Sequence, residues 1–286
     1  MALRLIDGWL FESKPSDEFE LRVHHLGNGH KEAVIQRQDV WEEIRPATAD
    51  ELEMWARERE EGEEERREAN RLRAARRAKT KVRRLVKVLG LDALLTLTYK
   101  GNMQDLTLCK AHMKEFVRRI RRLLPGFVYV AAFEQQKRGA WHVHMAIHAL
   151  PRDLPVSGVK VKSFNVVRAV WRSVVGDLGG NIDQARRKRW SRQSSGKLAA
   201  YLSKYMLKAF HEGDEWSNRY SASAGLQLPK AQVVRFRSYA MADLIALAYE
   251  EVAQGVCECM TWLSRWGDTF FLSTELASAM KKPPGC

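Results

Sequence analysis

Residues 141–148 are WHVHMAIH, a stretch in which polar and apolar side chains alternate. Successive side chains of a β-strand point to opposite faces, so His142 and His144 share one face and the apolar residues between and after them share the other. The apolar face is typical of a strand packed on a core. The two imidazoles lie about 7 Å apart along such a strand, a separation that one metal ion can span.

The segments around this strand predict a sheet with helices packed on it. Apolar runs predict strands, and apolar residues at helical spacing predict helices. The predicted strands are 93–99, 127–134, 141–148 and 181–184, and the predicted helices are 106–124, 164–178 and 197–210.

A third metal ligand is expected on the strand that precedes the histidines, and Glu134 is the candidate. If the loop between the two strands has an odd number of residues, Glu134 lies opposite His142 or His144 on the same face. An even number breaks this geometry unless a bulge intervenes, and Gln135 and Gln136 are then the alternatives. Two imidazoles and a carboxylate suit Mg²⁺ or Mn²⁺ acting as a Lewis acid on a phosphate oxygen.

The helix at 197–210 carries two tyrosines and two lysines on one face, because Tyr201, Lys204, Tyr205 and Lys208 are spaced i, i+3, i+4 and i+7. Two lysines on the stripe argue against a wholly buried face. A phenolic oxygen can attack a phosphodiester when a nearby group polarises the phosphate and stabilises the developing charge.

The composition favours a polyanionic partner. Lysine and arginine number 48 against 35 acidic residues, for a formal charge of +13. Residues 71–87 contain nine basic residues and no acidic one, which predicts phosphate contact. A second basic cluster predicts a DNA-contacting loop, with a disordered basic loop as the alternative. Its members are Arg186, Arg187, Lys188, Arg189, Trp190 and Arg192.

Three further segments complete the predicted organisation. Residues 1–45 form an amino-terminal hairpin segment around the turn Gly27-Asn28-Gly29, with exposed histidines at 24, 25 and 30. Residues 46–90 form a charged helical segment that begins at a capping box of Thr48 and Glu51. Residues 229–286 form a carboxyl-terminal helical segment, with a helix over 239–265, and leave 91–228 as the central domain.

Three motifs of the chain resemble those of HUH endonucleases, in the same order. They are LTLT at 95–98, EQQKRGAWHVHMAIH at 134–148 and YLSKYMLK at 201–208. The chain looks like a rolling-circle replication initiator of phage or plasmid type over about residues 92 to 225. The resemblance implies an α+β fold with an antiparallel central β-sheet flanked by helices, of the ferredoxin or RNA-recognition type.

The resemblance also implies the chemistry. His142 and His144 bind one divalent ion with Glu134 as third ligand, and Tyr201 becomes joined to the 5′ phosphate of a nicked single strand, assisted by Lys204. The free 3′ hydroxyl then primes synthesis. Tyr205 is either a second nucleophile or structural, and Lys208 contacts DNA.

Partners and compartment follow from the same interpretation. The substrate is single-stranded DNA at a replication origin. No phosphate-binding G-x-x-x-x-G-K-[ST] loop is present, so unwinding requires a host helicase, and synthesis a host polymerase. No stretch reaches the roughly 18 apolar residues that span a bilayer, and we expect a soluble protein in the cytoplasm of a bacterial host.

Two other interpretations compete. A transposase or a conjugative relaxase uses the same metal and tyrosine chemistry, although relaxases usually place the tyrosine before the histidines. A nonenzymatic binding module with an RNA-recognition-like sheet would use the histidines to line a nucleic-acid surface. The basic-glycine-aromatic run of that module is missing from the sequence.

Overall fold

A computed structural model describes residues 2–184, 194–212, 219–237, 240–255 and 257–276, with side chains of the helix that ends at 212 described as far as Tyr205. The chain divides into two compact units. One is formed by residues 72–228, and the other by residues 1–71 together with 229–279. The division falls within a long helix.

The secondary structure of the described residues alternates between strands and helices. The strands are β1 (Leu3–Ile6), β2 (Trp9–Gly27), β3 (His30–Pro46), β4 (Ala93–Tyr99), β5 (Tyr129–Gln135), β6 (Trp141–Ile147), β7 (Asp153–Val156), β8 (Val159–Lys162), β9 (Gly180–Gln184), β10 (Tyr220–Ala222), β11 (Gln232–Arg237), β12 (Cys257–Leu263) and β13 (Thr269–Leu276). The helices are α1 (Ala49–Glu61), α2 (Glu63–Val88), α3 (Leu106–Leu123), α4 (Ser163–Val175), α5 (Ser195–Glu212) and α6 (Met241–Val252).

The unit of residues 72–228 is built on a five-stranded sheet in the order β10-β5-β6-β4-β9. Every neighbouring pair is antiparallel. The predicted α+β fold, an antiparallel sheet flanked by helices, is therefore confirmed. The strands and helices predicted between residues 93 and 210 are all present, with ends that differ by two residues or fewer except at 164–178, whose last three residues form a 3₁₀ turn.

Helices α3 and α4 cover one face of this sheet. The apolar stripe of α3, which includes Met113, Phe116 and Ile120, faces Trp171 of α4 and the apolar side of β6. Phe116 and Trp171 are fully buried, with their rings edge to face at 5.8 Å. Asp105 caps the start of α3 by accepting a hydrogen bond from the Leu108 amide. This side is the main core of the unit.

The carboxyl-terminal part of α2 and the helix α5 cover the other face. Val82 and Leu85 of α2 share one apolar cluster with Leu202 of α5 and with Ala132 and Ala146 of the sheet. Because side chains alternate along β6, this is the face that carries His142 and His144.

The loop between β5 and β6 has the odd length on which the Glu134 prediction depends. It comprises residues 136–140, and Glu134 is directly paired with His142. Gly139 takes a positive φ of 88° there, and its amide donates to the Gln136 carbonyl. Glycine adopts this backbone conformation without a steric penalty.

The other unit contains a six-stranded sheet. Its order is β1-β2-β3-β13-β12, and β11 pairs with β2. The predicted amino-terminal hairpin is present, but its strands are much longer than 18–25 and 32–37. Helix α6 packs on one face through Leu244, Ala248 and Val252. The predicted capping box of Thr48 and Glu51 at the start of α1 is confirmed.

Two predictions for this unit are wrong. The helix predicted over 239–265 ends at Val252, Gly255 follows with a positive φ of 70°, and Cys257–Leu263 is a strand. The segment from 229 is therefore mixed rather than helical. His30, expected to be exposed, is 2% exposed, and its Nε2 lies 3.6 Å from Oε1 of Glu275 on β13. Within the described ranges, no helix is long and apolar enough to cross a membrane.

Candidate active site

His144 occupies the centre of the polar cluster on the α5 side of the five-stranded sheet. Its Nε2 lies 2.7 Å from Oε2 of Glu134, and its Nδ1 lies 3.2 Å from Oγ1 of Thr96. The strand register places both partners, because Thr96 is opposite His144 on β4 and Glu134 is diagonal to it on β5. The imidazole is 6% exposed and is held at both nitrogens.

His142 is the second histidine on this face, with its ring centroid 6.3 Å from that of His144. Its Nε2 is buried and has no hydrogen-bond partner among the described residues. Burial lowers the pKa of His142, as does the neighbouring His144, while Glu134 acts in the opposite direction. The ring is thus biased towards the neutral form, whose lone pair can bind a metal ion.

The three candidate ligands are adjacent but are not arranged as a finished metal site. Among the residues that the structure describes, no group of three or more His, Cys, Asp or Glu side chains is placed to hold a metal ion. The Glu134 carboxylate instead contacts the His144 Nε2 directly. The donor types fit a divalent ion, and the buried, unpartnered Nε2 of His142 is a nitrogen that such an ion would satisfy.

Tyr205 joins the helix α5 to the histidines. Its ring stacks on His144 with centroids 4.4 Å apart and planes 2° from parallel. Its hydroxyl donates a 2.7 Å hydrogen bond to the Tyr201 hydroxyl. Burial, followed by the contact with Tyr201 and the charge of Glu134, raises the pKa of Tyr205 well above its usual range. Tyr205 therefore stays protonated and acts as a donor.

Tyr201 is more accessible than Tyr205, being only partly buried. Its ring lies edge-on to Tyr205 at 5.4 Å and to His144 at 6.3 Å. The exposed Lys204 places its Nζ 4.2 Å from the Tyr201 ring centroid and 5.0 Å from that of Tyr205. A cation at this position favours negative charge on a phenolic oxygen.

The structure thus brings six of the predicted residues into one cluster: His142, His144, Glu134, Tyr201, Lys204 and Tyr205. Lys208 belongs to α5, but its side chain lies outside the described residues. The basic cluster of Arg186, Arg187, Lys188, Arg189, Trp190 and Arg192 also lies outside them.

Thr96 is the contact that was not foreseen. It belongs to LTLT at 95–98 and is 8% exposed. Leu95 and Leu97 face the main core, so their threonine neighbours face the histidine side of the sheet. A hydroxyl between buried leucines, on a strand next to the histidine strand, is the sequence signal for this contact.

Residues 92–210 match the family of replication-associated proteins that is described by its ORF2 and gene 2 protein members. The match includes the three motifs and all six clustered side chains, and it leaves the six-stranded sheet outside. The similarity indicates DNA replication and DNA binding. No curated protein and no solved structure matches the chain.

Proposed function

We propose that the chain is an HUH-type initiator of rolling-circle DNA replication that nicks and rejoins single-stranded DNA at an origin. The single observation that carries this proposal is the packing of Tyr205 and Tyr201 against the His144–Glu134 pair. A paired phenol, a cation and potential metal ligands in one cluster suit phosphoryl transfer to tyrosine better than they suit passive binding.

Tyr201 is the proposed nucleophile. Its oxygen bonds to the phosphorus at the nick, the bond from phosphorus to the 3′ oxygen breaks, and the phenolic proton ends on the released 3′ hydroxyl. The product is a 5′-phosphotyrosine and a free 3′ hydroxyl, and the reverse reaction rejoins the strand. The phosphodiester bond is exchanged rather than hydrolysed, so joining needs no added energy source.

Two neighbours assist Tyr201 in this proposal. Tyr205 donates a hydrogen bond to the Tyr201 oxygen and thereby stabilises negative charge on it during attack. Lys204 adds a positive charge beside the same ring. Both interactions strengthen as the phenol loses its proton, so they stabilise the transition state more than the ground state.

His142, His144 and Glu134 are the residues proposed to hold a divalent ion, Mg²⁺ or Mn²⁺. When bound, such an ion supplies Lewis-acid polarisation of the scissile phosphate. His144 is oriented for this by Thr96, and His142 contributes its unpartnered Nε2.

Tyr205 is proposed as the second nucleophile only for the joining half of the cycle. Its burial and its stacking on His144 mean that it has to leave this position before it can attack DNA. In the arrangement described here it supports Tyr201. A host helicase and a host polymerase are the proposed partners for unwinding and for extension of the 3′ end.

The test is formation of a covalent adduct. We expect the purified protein with Mn²⁺ or Mg²⁺ to form a denaturant-resistant complex with a single-stranded origin oligonucleotide, visible as a shifted band on a denaturing gel. Tyr201→Phe removes the attacking oxygen while keeping the ring, and adduct formation should fall by at least about a thousandfold.

Tyr129→Phe is the matched control. Tyr129 is also a buried tyrosine of the five-stranded sheet, but its hydroxyl contacts Ser221, 3.1 Å away. This variant should retain the adduct. An adduct that survives in Tyr201→Phe and disappears in Tyr205→Phe would transfer the role to Tyr205. Binding of the oligonucleotide without any adduct in the wild type would favour the nonenzymatic binding module.

A further inference from the structure

The outer side of α2 carries a row of basic side chains that the proposed chemistry does not use. Arg76, Arg77, Lys81 and Arg84 line an open groove of about 430 Å³, together with Thr80 and Leu228. All of these residues belong to the unit of residues 72–228. We call this feature the α2 groove.

The positive charge of the α2 groove is largely uncompensated. In the described part of the chain, Arg76, Arg77 and Lys81 have no carboxylate within ion-pair distance, whereas Arg67, earlier in the same helix, pairs with Glu63 at 2.7 Å. Like charges one turn apart destabilise a helix. A row of cations that bears this cost without neutralisation is suited to binding an anion that supplies the missing charge.

The groove is connected to the candidate active site through the helix on which it lies. Val82, Leu85 and Val86, on the inner side of α2, share an apolar cluster with Leu202 and Tyr205 of α5. The basic row is thus on the outside of the helix whose inside supports the tyrosines. A strand bound there would lie against the element next to the proposed nucleophile.

An aromatic ring lies beside the cations. The Nζ of Lys81 is 5.9 Å from the ring centroid of Tyr220, which is partly exposed. Cations that contact phosphates together with an aromatic that can stack on an unpaired base are the features of surfaces that bind single-stranded nucleic acid. Duplex DNA keeps its bases stacked and offers mainly phosphates to such a surface.

We propose that the α2 groove binds the backbone of single-stranded DNA. Arg76, Arg77 and Lys81 contact phosphates, and Tyr220 lies close enough to Lys81 to contact a base of the same strand. This inference rests on the proposed function, since it takes single-stranded DNA to be the substrate. It adds a binding surface outside the tyrosine and histidine cluster.

The test replaces the three cations while keeping a helix-forming side chain of similar reach, as Arg76→Gln/Arg77→Gln/Lys81→Gln in the full-length protein. Affinity for a labelled oligothymidine is measured by fluorescence anisotropy in EDTA, which prevents metal-dependent cleavage. We expect binding to weaken about tenfold or more, and the slope of log K against log salt concentration to become shallower by about 2, or about 0.7 for each lost contact. Each single substitution should reduce the slope by about a third of that amount.

The matched control is Arg122→Gln/Arg152→Gln/Lys160→Gln, which removes the same charges from exposed positions elsewhere in the unit. It should bind as the wild type does. A triple α2 variant with unchanged affinity and slope overturns the proposal. A loss confined to a duplex probe also overturns it, by assigning the groove to duplex DNA.

The proposal and the proposed function can fail separately. If the wild type forms no adduct but the triple α2 variant loses oligothymidine binding, the groove stands and the nicking chemistry does not. If the wild type forms the adduct and the triple variant binds oligothymidine normally, only the groove is lost.

Discussion

On one face of the five-stranded sheet, α3 and α4 cover a large apolar cluster centred on Phe116 and Trp171. On the other, α2 and α5 cover a smaller cluster that is interrupted by His144, Thr96 and Tyr205. Both faces are built by the same strands, because alternate side chains of β4 and β6 point in opposite directions. The first face holds the sheet together, and the second carries the polar groups that chemistry requires.

This separation has an energetic reason. Buried polar groups cost free energy unless they are hydrogen-bonded. The pairs Thr96–His144, His144–Glu134 and Tyr205–Tyr201 satisfy most of these groups, but His142 Nε2 has no partner among the described residues. A fully apolar face on the other side of the sheet offsets that cost. If this view is correct, stability and activity should be separable by face.

The largest expected effect is on stability, from Phe116→Ala on the apolar face. Phe116 is fully buried, and its removal leaves a cavity against Trp171. We expect the free energy of unfolding, measured in urea, to fall by about 3–5 kcal/mol. Adduct formation per folded molecule should remain, because no described contact joins Phe116 to the tyrosines.

Phe116→Leu is the matched variant, since it keeps most of the buried volume and should lose considerably less stability. A folded Phe116→Ala protein that no longer forms the adduct would break the separation of the two faces. The measurement therefore uses a temperature well below the unfolding midpoint of the variant.

The two sheets differ in how far the sequence could predict them. The strands β4, β5 and β6 are apolar runs bounded by turn residues, and β5 and β6 are joined by a five-residue loop, so local pattern was sufficient. Strand β12 is an edge strand with six of its seven residues exposed and no apolar face, and the strand that pairs with its neighbour β13 is β3, more than 200 residues away. Neither property is visible in a local pattern, and a helix was predicted instead.

The candidate site shows the same limit at the level of side chains. Strand parity and helical spacing were enough to group the histidines, Glu134 and the tyrosines. They could not predict that the Glu134 carboxylate contacts His144 rather than His142, because that depends on side-chain rotamers across a diagonal pair. The position of Thr96 also requires the order of the strands in the sheet, which places β4 next to β6.

A smaller effect is expected from Thr96→Val, which keeps the shape of the side chain but removes the hydroxyl 3.2 Å from His144 Nδ1. Partners of this kind fix the orientation and tautomer of a metal-binding histidine, and their loss typically weakens metal affinity about 10-fold to 100-fold. We expect Mn²⁺ affinity, measured by titration calorimetry, to fall within the lower part of that range. Thr96→Ser retains the hydroxyl and should bind Mn²⁺ nearly as the wild type does. Equal affinities in all three proteins would remove Thr96 from the site.

The smallest expected effect concerns pH and the apolar face. Burial lowers the pKa of His112, whose Nδ1 lies 3.1 Å from the Tyr99 hydroxyl. As pH falls below the usual histidine value of 6.5, the unfolded chain takes up a proton before the folded chain does, so the wild type loses stability as the medium becomes acidic. His112→Gln removes this contribution, and its free energy of unfolding in EDTA should decrease less steeply than that of the wild type between about pH 7 and pH 5. Adduct formation at neutral pH should be unchanged, since His112 lies on the face without the tyrosines. Parallel stability curves for the two proteins would show that burial of His112 carries no proton linkage, and loss of the adduct would show that the two faces are coupled through it.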